Sequence, residues 1–398
     1  MDVTNSSSGD IMRRIVVWIV LSCFVASSQA QTDIPLLSPL LALNTVQQDA
    51  IILYDVTSDS YRRLSIGVGD HHVWDFSPNG CRVLFTYTEA TRWGRLYSMS
   101  LTGGDVREEA IYSDLPNERW GIWEADWSPT ENRIAFTLRR LQNDGTMTHH
   151  TAFVTDGNPD IQFYSVTGSE FSPTWSPDGA WLAYLSYQER VAGTNVLATA
   201  LPTAEPAPGQ TPIPAVTVDE ADLWVVSADA DLKYQLTNFE TGSVSKPRWS
   251  PDSELISFVW SPQNSSDMLW MIANQPTAIP TQLSYEWSMV LAHDWLPDAT
   301  GLTGAMREFR ETVPNTLWQI PLINTDDSGA NLYLQDLDIT HADFPRFSPD
   351  GNWLAVRSDY EMIIVNTEDN RSRLLNRYVL GNSAGVWSPI AFSGEGDC

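Results

Sequence analysis

The stretch "PTWSPDGAWLAYLSY", residues 173 to 187, decides the fold. An aromatic residue, a Ser-Pro-Asp-Gly turn and an apolar run follow one another without a break, and the arrangement recurs. Seven anchor aromatics occupy equivalent positions: Phe76, Trp127, Trp175, Trp249, Trp295, Phe347 and Trp387. Two residues after each comes proline, at Pro78, Pro129, Pro177, Pro251, Pro297, Pro349 and Pro389, and the residue between is serine in all but Leu296. Nine residues after the anchor stand Phe85, Phe136, Tyr184, Phe258 and Val356 in five of the copies.

Each piece has a mechanical reason. Proline fixes φ near −65° and suits the first corner of a turn, while Asp-Gly or Asn-Gly supplies the tolerant second corner. The turn joins a strand ending at the anchor to a strand such as "AWLAYLSY". That second strand is apolar on both pleat faces, so both faces must be covered, as they are when a sheet lies between two other sheets.

A second half-unit alternates with the first. Its core is Leu53-Tyr54, Leu96-Tyr97, Ala152-Phe153, Leu223-Trp224, Leu269-Trp270, Leu317-Trp318 or the weaker Ile363-Ile364. Polar turns and short strands such as "YQLT" (234–237) and "TQLS" (281–284) complete four strands per unit. Anchors at 76, 127, 175, 249, 295, 347 and 387 give spacings of 51, 48, 74, 46, 52 and 40 residues. Apart from one insertion these sit near the 40 to 50 residues of a propeller blade. The chain begins with a second half (51–66) and ends with a first half near Trp387, so the two ends are expected to share a blade and leave no open edge. The reading is an all-β propeller of four-stranded antiparallel blades. Seven blades are favoured, with six plus a closing strand as the alternative.

The "WSPDGAWLAY" and "FSPDGNWLAV" units resemble the TolB-like propeller repeats, and similar units occur in the propellers that cap prolyl-oligopeptidase and dipeptidyl-peptidase enzymes. The resemblance covers about residues 49 to 398. It implies the fold strongly and the function weakly, because this repeat serves many roles. No room exists between residues 31 and 48 for TolB's separate α/β domain, and the count of seven departs from that family's six.

The 398 residues are 42% hydrophobic and 11% aromatic, enough for a large core. Fifty acidic residues against 23 Lys and Arg give a formal charge of −27, a field that repels nucleic-acid phosphates and anionic lipid. Residues 1–30 read as a signal peptide: Arg13 and Arg14, the apolar run "IVVWIVLSCFVA" (15–26), then small residues before cleavage near Ala30. The run is shorter than the ~20 residues that span a bilayer, so the mature chain is expected in the periplasm or outside the cell. Lipidation at Cys23 is the rival, and Met12 competes with Met1 as the start. Residues 31–48 read as an extended leader and 49–398 as the propeller. Of the cysteines that remain, Cys81 is expected to be buried and Cys398 free, with a bridge between them as the alternative.

Within the third blade, 193–221 is rich in Pro, Thr and Ala without apolar period and reads as an inserted loop over one rim. "GNSAG" (381–385) matches the nucleophile-elbow pattern, but no histidine follows Ser383, so catalysis there is excluded. All six histidines map to loops or strand starts of that rim. His71, His72, His293 and His341 are the candidate ligands for a divalent metal, the only cofactor considered, although none shows a paired metal spacing. Trp93, Trp120, Trp123, Glu124 and Trp287 are the candidate binding residues, because exposed indoles beside acids stack on a peptide side chain or a sugar ring. Three functions follow in order. The first is a non-catalytic envelope binding or scaffolding protein that engages a protein or peptide at one rim. The second is a carbohydrate-active lyase or hydrolase with a histidine-lined mouth, and the third is a peptidase cap without its catalytic domain.

Overall fold

The computed structural model describes residues 39–389 except 91–92, 112–118, 156, 165–167, 192–216, 264, 285–287, 309–313, 323–329, 338, 340, 360 and 376–384. The stretch read as a signal peptide, the third-blade insertion up to residue 216, Trp287, Ser383 and Cys398 therefore lie outside the described residues. Seven four-stranded antiparallel sheets are present, and every element among the described residues is a strand. The molecule is a seven-bladed β-propeller, which removes the six-blade alternative.

We number the blades by their first strands: Asp70–Phe76, Arg119–Trp127, Glu170–Trp175, Ser243–Trp249, Ser288–Trp295, Ala342–Phe347 and Val386–Trp387. Every one ends on its anchor aromatic. From blade 7 through blade 1 round to blade 6, first strands of successive blades touch one another, so they line the axis. The anchors wedge the blades together: Trp127 packs with Leu84 and Leu96 of blade 1, Trp249 with Leu185 and Leu223 of blade 3, and Trp387 with Ala355 and Ile364 of blade 6. Burying one tryptophan removes roughly 150–250 Å² from water, about 4–6 kcal/mol of gross transfer energy.

The Ser-Pro-Asp-Gly turn explains its own sequence. In blade 3 the Gly179 amide donates to the Ser176 carbonyl (2.8 Å), and Gly179 takes φ +69°, as the end of a three-residue hairpin loop requires. The Ser176 hydroxyl donates to Asp178 Oδ1 (2.5 Å) and accepts the Trp181 amide (2.9 Å). Asp178 Oδ1 also accepts the Ala180 amide (3.0 Å), so serine and aspartate together tie down the turn's backbone donors.

Closure of the ring differs from expectation in one respect. The N-terminal stretch expected as a leader supplies a strand, Leu40–Asn44, all of it buried. It pairs on one side with Val386–Trp387 and on the other with Ile51–Asp55. Blade 7 thus takes one strand from the C-terminal side and three from the N-terminal side, and the propeller begins near residue 40. An apolar "LLALN" with a strand paired on each side is what a central strand needs.

A second difference concerns Cys81, which is disulfide-bonded rather than a free buried thiol. No helix of the described residues is long and apolar enough to cross a membrane.

Candidate functional site

The axis is built from two layers. One residue before each anchor stand Asp75, Asp126, Thr174, Arg248, Asp294, Arg346 and Val386. These stitch blades together. Asp75 accepts the Trp127 amide (2.8 Å), Asp126 the Trp175 amide (2.5 Å) and Asp294 the Phe347 amide (3.0 Å). Elsewhere the anchor indole does the work: Trp249, Trp295 and Trp387 donate to the carbonyls of Thr174, Arg248 and Arg346, each at 3.0 Å.

Removal from water raises these carboxyls. Asp294 is pushed up to about 6 by burial, against the pull of Arg248. Burial and then the Asp126 charge hold Asp75 well above the usual carboxylate range, and burial raises Asp126 as well. A carboxyl committed to a neighbour's amide is a structural rivet, and the ring reads as part of the frame.

Above it, every complete first strand is kinked. Register shifts fall between Val73 and Asp75, Trp123 and Ala125, Phe171 and Thr174, Ser245 and Arg248, Val290 and Ala292, and Asp343 and Arg346. Glu124, Ser172, Lys246 and Phe344 take φ of 50°, 54°, 54° and 48° in these bulges. A bulge re-aims a side chain out of the ladder, here at the level of the mouth. Proline follows in three of them, at Pro173, Pro247 and Pro345, where no ladder donor is needed.

At blades 2 and 3 this geometry assembles an aromatic and charged patch. Trp123 is 46% exposed, and the Arg139 guanidinium lies 4.3 Å from its ring centroid. Across the seam Phe171 and Tyr187 stack at 4.4 Å with an interplanar angle of 25°. The His149 ring lies 6.2 Å from each of them. Burial and then the Arg139 charge keep that imidazole below its ordinary range. Glu124 spans the seam, accepting the Ser172 amide (3.0 Å) and the Thr137 hydroxyl (3.2 Å). Open aromatic faces, a guanidinium and a carboxylate at one mouth suit recognition of a side chain or ring laid across them.

The other sequence candidates fall elsewhere. Trp120 is only 3% exposed, with Arg95 stacked 3.5 Å from its ring centroid, so it belongs to the core between blades 1 and 2. Trp120 and Trp123 both lie within the first strand of blade 2 rather than between strands. Trp93 is half-buried against the same strand, where the Ile122 amide donates to the Gly94 carbonyl (2.9 Å). The insertion is shorter than expected, because residues 217–221 form part of the strand Thr217–Ser227.

The histidines do not converge. His71 is enclosed in blade 1, its Nε2 accepting the Ile66 amide (3.1 Å). His72 is held down to about 4 by burial beside Trp74 and Asn44. His293 lies near the anchor end of its strand rather than at the rim. It is 2% exposed, bonded to Ser257 Oγ (2.9 Å), and burial lowers it to about 3. His341 is exposed beside Asp359 (2.9 Å). Among the described residues no three His, Cys, Asp or Glu side chains are placed to hold a metal ion. Arg139, Phe171 and Tyr187 were missed by the sequence reading, which counted His149 among the six histidines of loops and strand starts; it lies within the strand Met147–Thr155. The signal for Phe171 and Tyr187 was present, as aromatics flanking the best-preserved repeat.

Known proteins share this architecture. A Mycobacterium tuberculosis puromycin-hydrolyzing peptidase matches 87% of this chain and 54% of its own at 12% identity, with a TM-score of 0.56. The oligogalacturonate lyase of Vibrio parahaemolyticus matches 84% of this chain and 92% of its own at 14% identity, with a TM-score of 0.56. The fold is the propeller these enzymes share. TolB from Acinetobacter baumannii also aligns, over 89% of this chain and 68% of its own at 12% identity and a TM-score of 0.48. By sequence, a probable dipeptidyl peptidase 4 of Aspergillus flavus is 32% identical over 105 residues, 24% of this chain and 13% of that protein. The chain thus spans a small part of the length of that relative. No family model matches.

Proposed function

We propose that the chain is an exported, non-catalytic β-propeller of the cell envelope, which binds a protein or peptide segment across the mouth at blades 2 and 3. The observation that carries this is Trp123. It is a tryptophan nearly half open to solvent, with the Arg139 guanidinium on its ring, in a blade whose neighbour carries the Phe171–Tyr187 stack. A rigid aromatic held open in this way gives large contact area at small entropic cost, the usual anchor of an interface. Export draws on the basic and apolar N-terminal run and the small residues before Ala30. The test is capture of partners from envelope extracts by the wild-type protein and by Trp123→Ala and Tyr187→Ala. Loss of the captured partner at unchanged melting temperature supports the reading, and equal capture by all three forms refutes it.

One observation favours a second reading. The aligned puromycin-hydrolyzing peptidase extends well beyond the matched propeller, so this ring also has the form of a cap over a catalytic domain. Co-purification of a hydrolase with the native protein distinguishes the two.

A further inference from the structure

Arg139 stands on the second strand of blade 2, Arg133–Leu141, in register with His149 of the third strand, Met147–Thr155. Its guanidinium lies 4.3 Å from the Trp123 ring centroid, and the His149 ring lies 6.2 Å from both Phe171 and Tyr187 of blade 3. The arginine thus has the exposed indole on one side and, through His149, the aromatic stack on the other. Its charge reaches that stack: burial raises the Tyr187 phenol, and the Arg139 charge is the largest influence opposing it. Among the described residues the guanidinium has no hydrogen bond and no ion pair, and its buried Nε is left without an acceptor.

Acids are not scarce in this chain. Asp and Glu outnumber Lys and Arg by 50 to 23, and arginines elsewhere meet them: Arg63 pairs with Asp49 at 2.7 Å and Arg373 with Asp59 at 3.3 Å. Blade 6 gives the closer comparison. There Arg357 lies 4.6 Å from the Phe344 ring centroid and also pairs with Asp343 at 2.5 Å. Asp343 stands four residues before its anchor Phe347, and the position four before Trp127 in blade 2 is Trp123. Blade 2 keeps the ring and lacks the acid. Glu124 does not fill the gap, because it is committed to the Ser172 amide and the Thr137 hydroxyl. A guanidinium presents a planar fork of donors matched to a carboxylate, and stacking on an indole already orients it.

Building on the reading of this mouth as a peptide site, we propose that Arg139 receives a carboxylate of the bound segment, an Asp or Glu side chain or a free C-terminus. An aromatic or apolar neighbour of that carboxylate lies on Trp123 or on the Phe171–Tyr187 stack. The partner is therefore an acidic peptide segment, bound by a chain whose own net charge is −27. Charges more than about 8 Å apart are largely screened at physiological ionic strength, so the nearest cation decides the contact.

The experiment is selection of displayed random dodecapeptides on the wild-type protein, followed by titration of the best binder as a synthetic peptide. The expected result is a carboxylate common to the selected peptides, and binding about tenfold weaker when it is replaced by its amide. Glu→Gln or Asp→Asn replacement in the peptide and amidation of its C-terminus tell the two sources apart. The Arg139→Gln protein should bind acid and amide forms alike, and Arg139→Lys should recover part of the preference. Selected peptides that need no carboxylate overturn the proposal and leave the mouth a peptide site. So does a preference that survives Arg139→Gln, including equal weakening of both forms, which is what a mere packing role gives. Failure to select any peptide whose binding is lost in Trp123→Ala, or binding of a uronic-acid oligosaccharide in place of any peptide, overturns the peptide site as well.

Discussion

Ser388 and Leu40, 348 positions apart in the chain, exchange two hydrogen bonds: the Leu40 amide donates to the Ser388 hydroxyl (2.9 Å) and the Ser388 amide to the Leu40 carbonyl (2.8 Å). Inside a continuous blade the same exchange joins Ser348 to Trp353, at 3.0 and 2.8 Å. The two ends of the chain therefore rebuild between them the interior of an ordinary hairpin. Leu40 takes the place that the fifth residue after serine holds elsewhere. Ser388→Ala leaves the buried Leu40 amide without its acceptor and should cost about 1–3 kcal/mol, read as a lowered midpoint in denaturant at unchanged slope.

The anchor tryptophans are not equivalent. Trp249 donates its indole N–H to the Thr174 carbonyl, whereas the buried Trp175 Nε1 has no partner among the described residues. Both rings are buried to a similar degree, at 7% and 5% exposure. Trp249→Phe should therefore cost about 1 kcal/mol more than Trp175→Phe, the contribution of one hydrogen bond, when the two are compared by chemical denaturation.

Gly179 and Gly145 test the turn. Both take positive φ, 69° and 87°, but a Cβ at 179 would lie 2.0 Å from Thr130 Oγ1 on the neighbouring blade, while one at 145 meets nothing. Gly145→Ala should cost about 1 kcal/mol, the strain alone, and Gly179→Ala a further 1–3 kcal/mol of steric displacement. Similar melting of the two variants would contradict the blade-to-blade contact.

Asp294 and His293 are adjacent and titrate in opposite senses. Asp294 is raised from 3.8 to about 6, so the folded state holds the proton more tightly than the unfolded one, and stability falls as pH rises from about 4 to about 6. Asp294→Asn should stabilise more at pH 7.5 than at pH 5, by about 1–2 kcal/mol. His293 is lowered from 6.5 to about 3, so its contribution is complete above 6.5 and is lost as pH falls toward 3. His293→Gln should flatten the acid limb of a stability–pH curve measured by thermal unfolding.

Trp120 and Trp123 separate stability from binding. Trp120→Ala removes a core ring and should cost about 3–5 kcal/mol. Trp123→Ala removes an exposed one and should change the melting midpoint little while abolishing partner capture.

The ring was legible in the sequence because the turn is chemically fixed. Serine, proline and aspartate each have a backbone group to satisfy, so they recur wherever a first strand ends. Leu40–Asn44 was not legible, because its strand has no turn motif of its own and borrows its serine from residue 388. Trp120 was misplaced for a related reason. In "NERWGIWEADW" the two tryptophans stand three apart on an unbroken ladder, so they take opposite pleat faces, and which face the neighbouring blade covers is decided by packing that a single strand's sequence does not carry. The mouth patch was half legible, since strand pairing decides which of Arg139, His149, Phe171 and Tyr187 come together.

The way blade 7 is assembled also sets the order of events during biosynthesis. "LLALN" emerges first, yet one of its two hydrogen-bonding flanks stays vacant until Val386 and Trp387 have been made. A product released short of that point would carry a greasy, ladder-ready border with nothing to cover it, an invitation to intermolecular pairing. Truncation before Val386 should therefore yield aggregates rather than a shortened working protein.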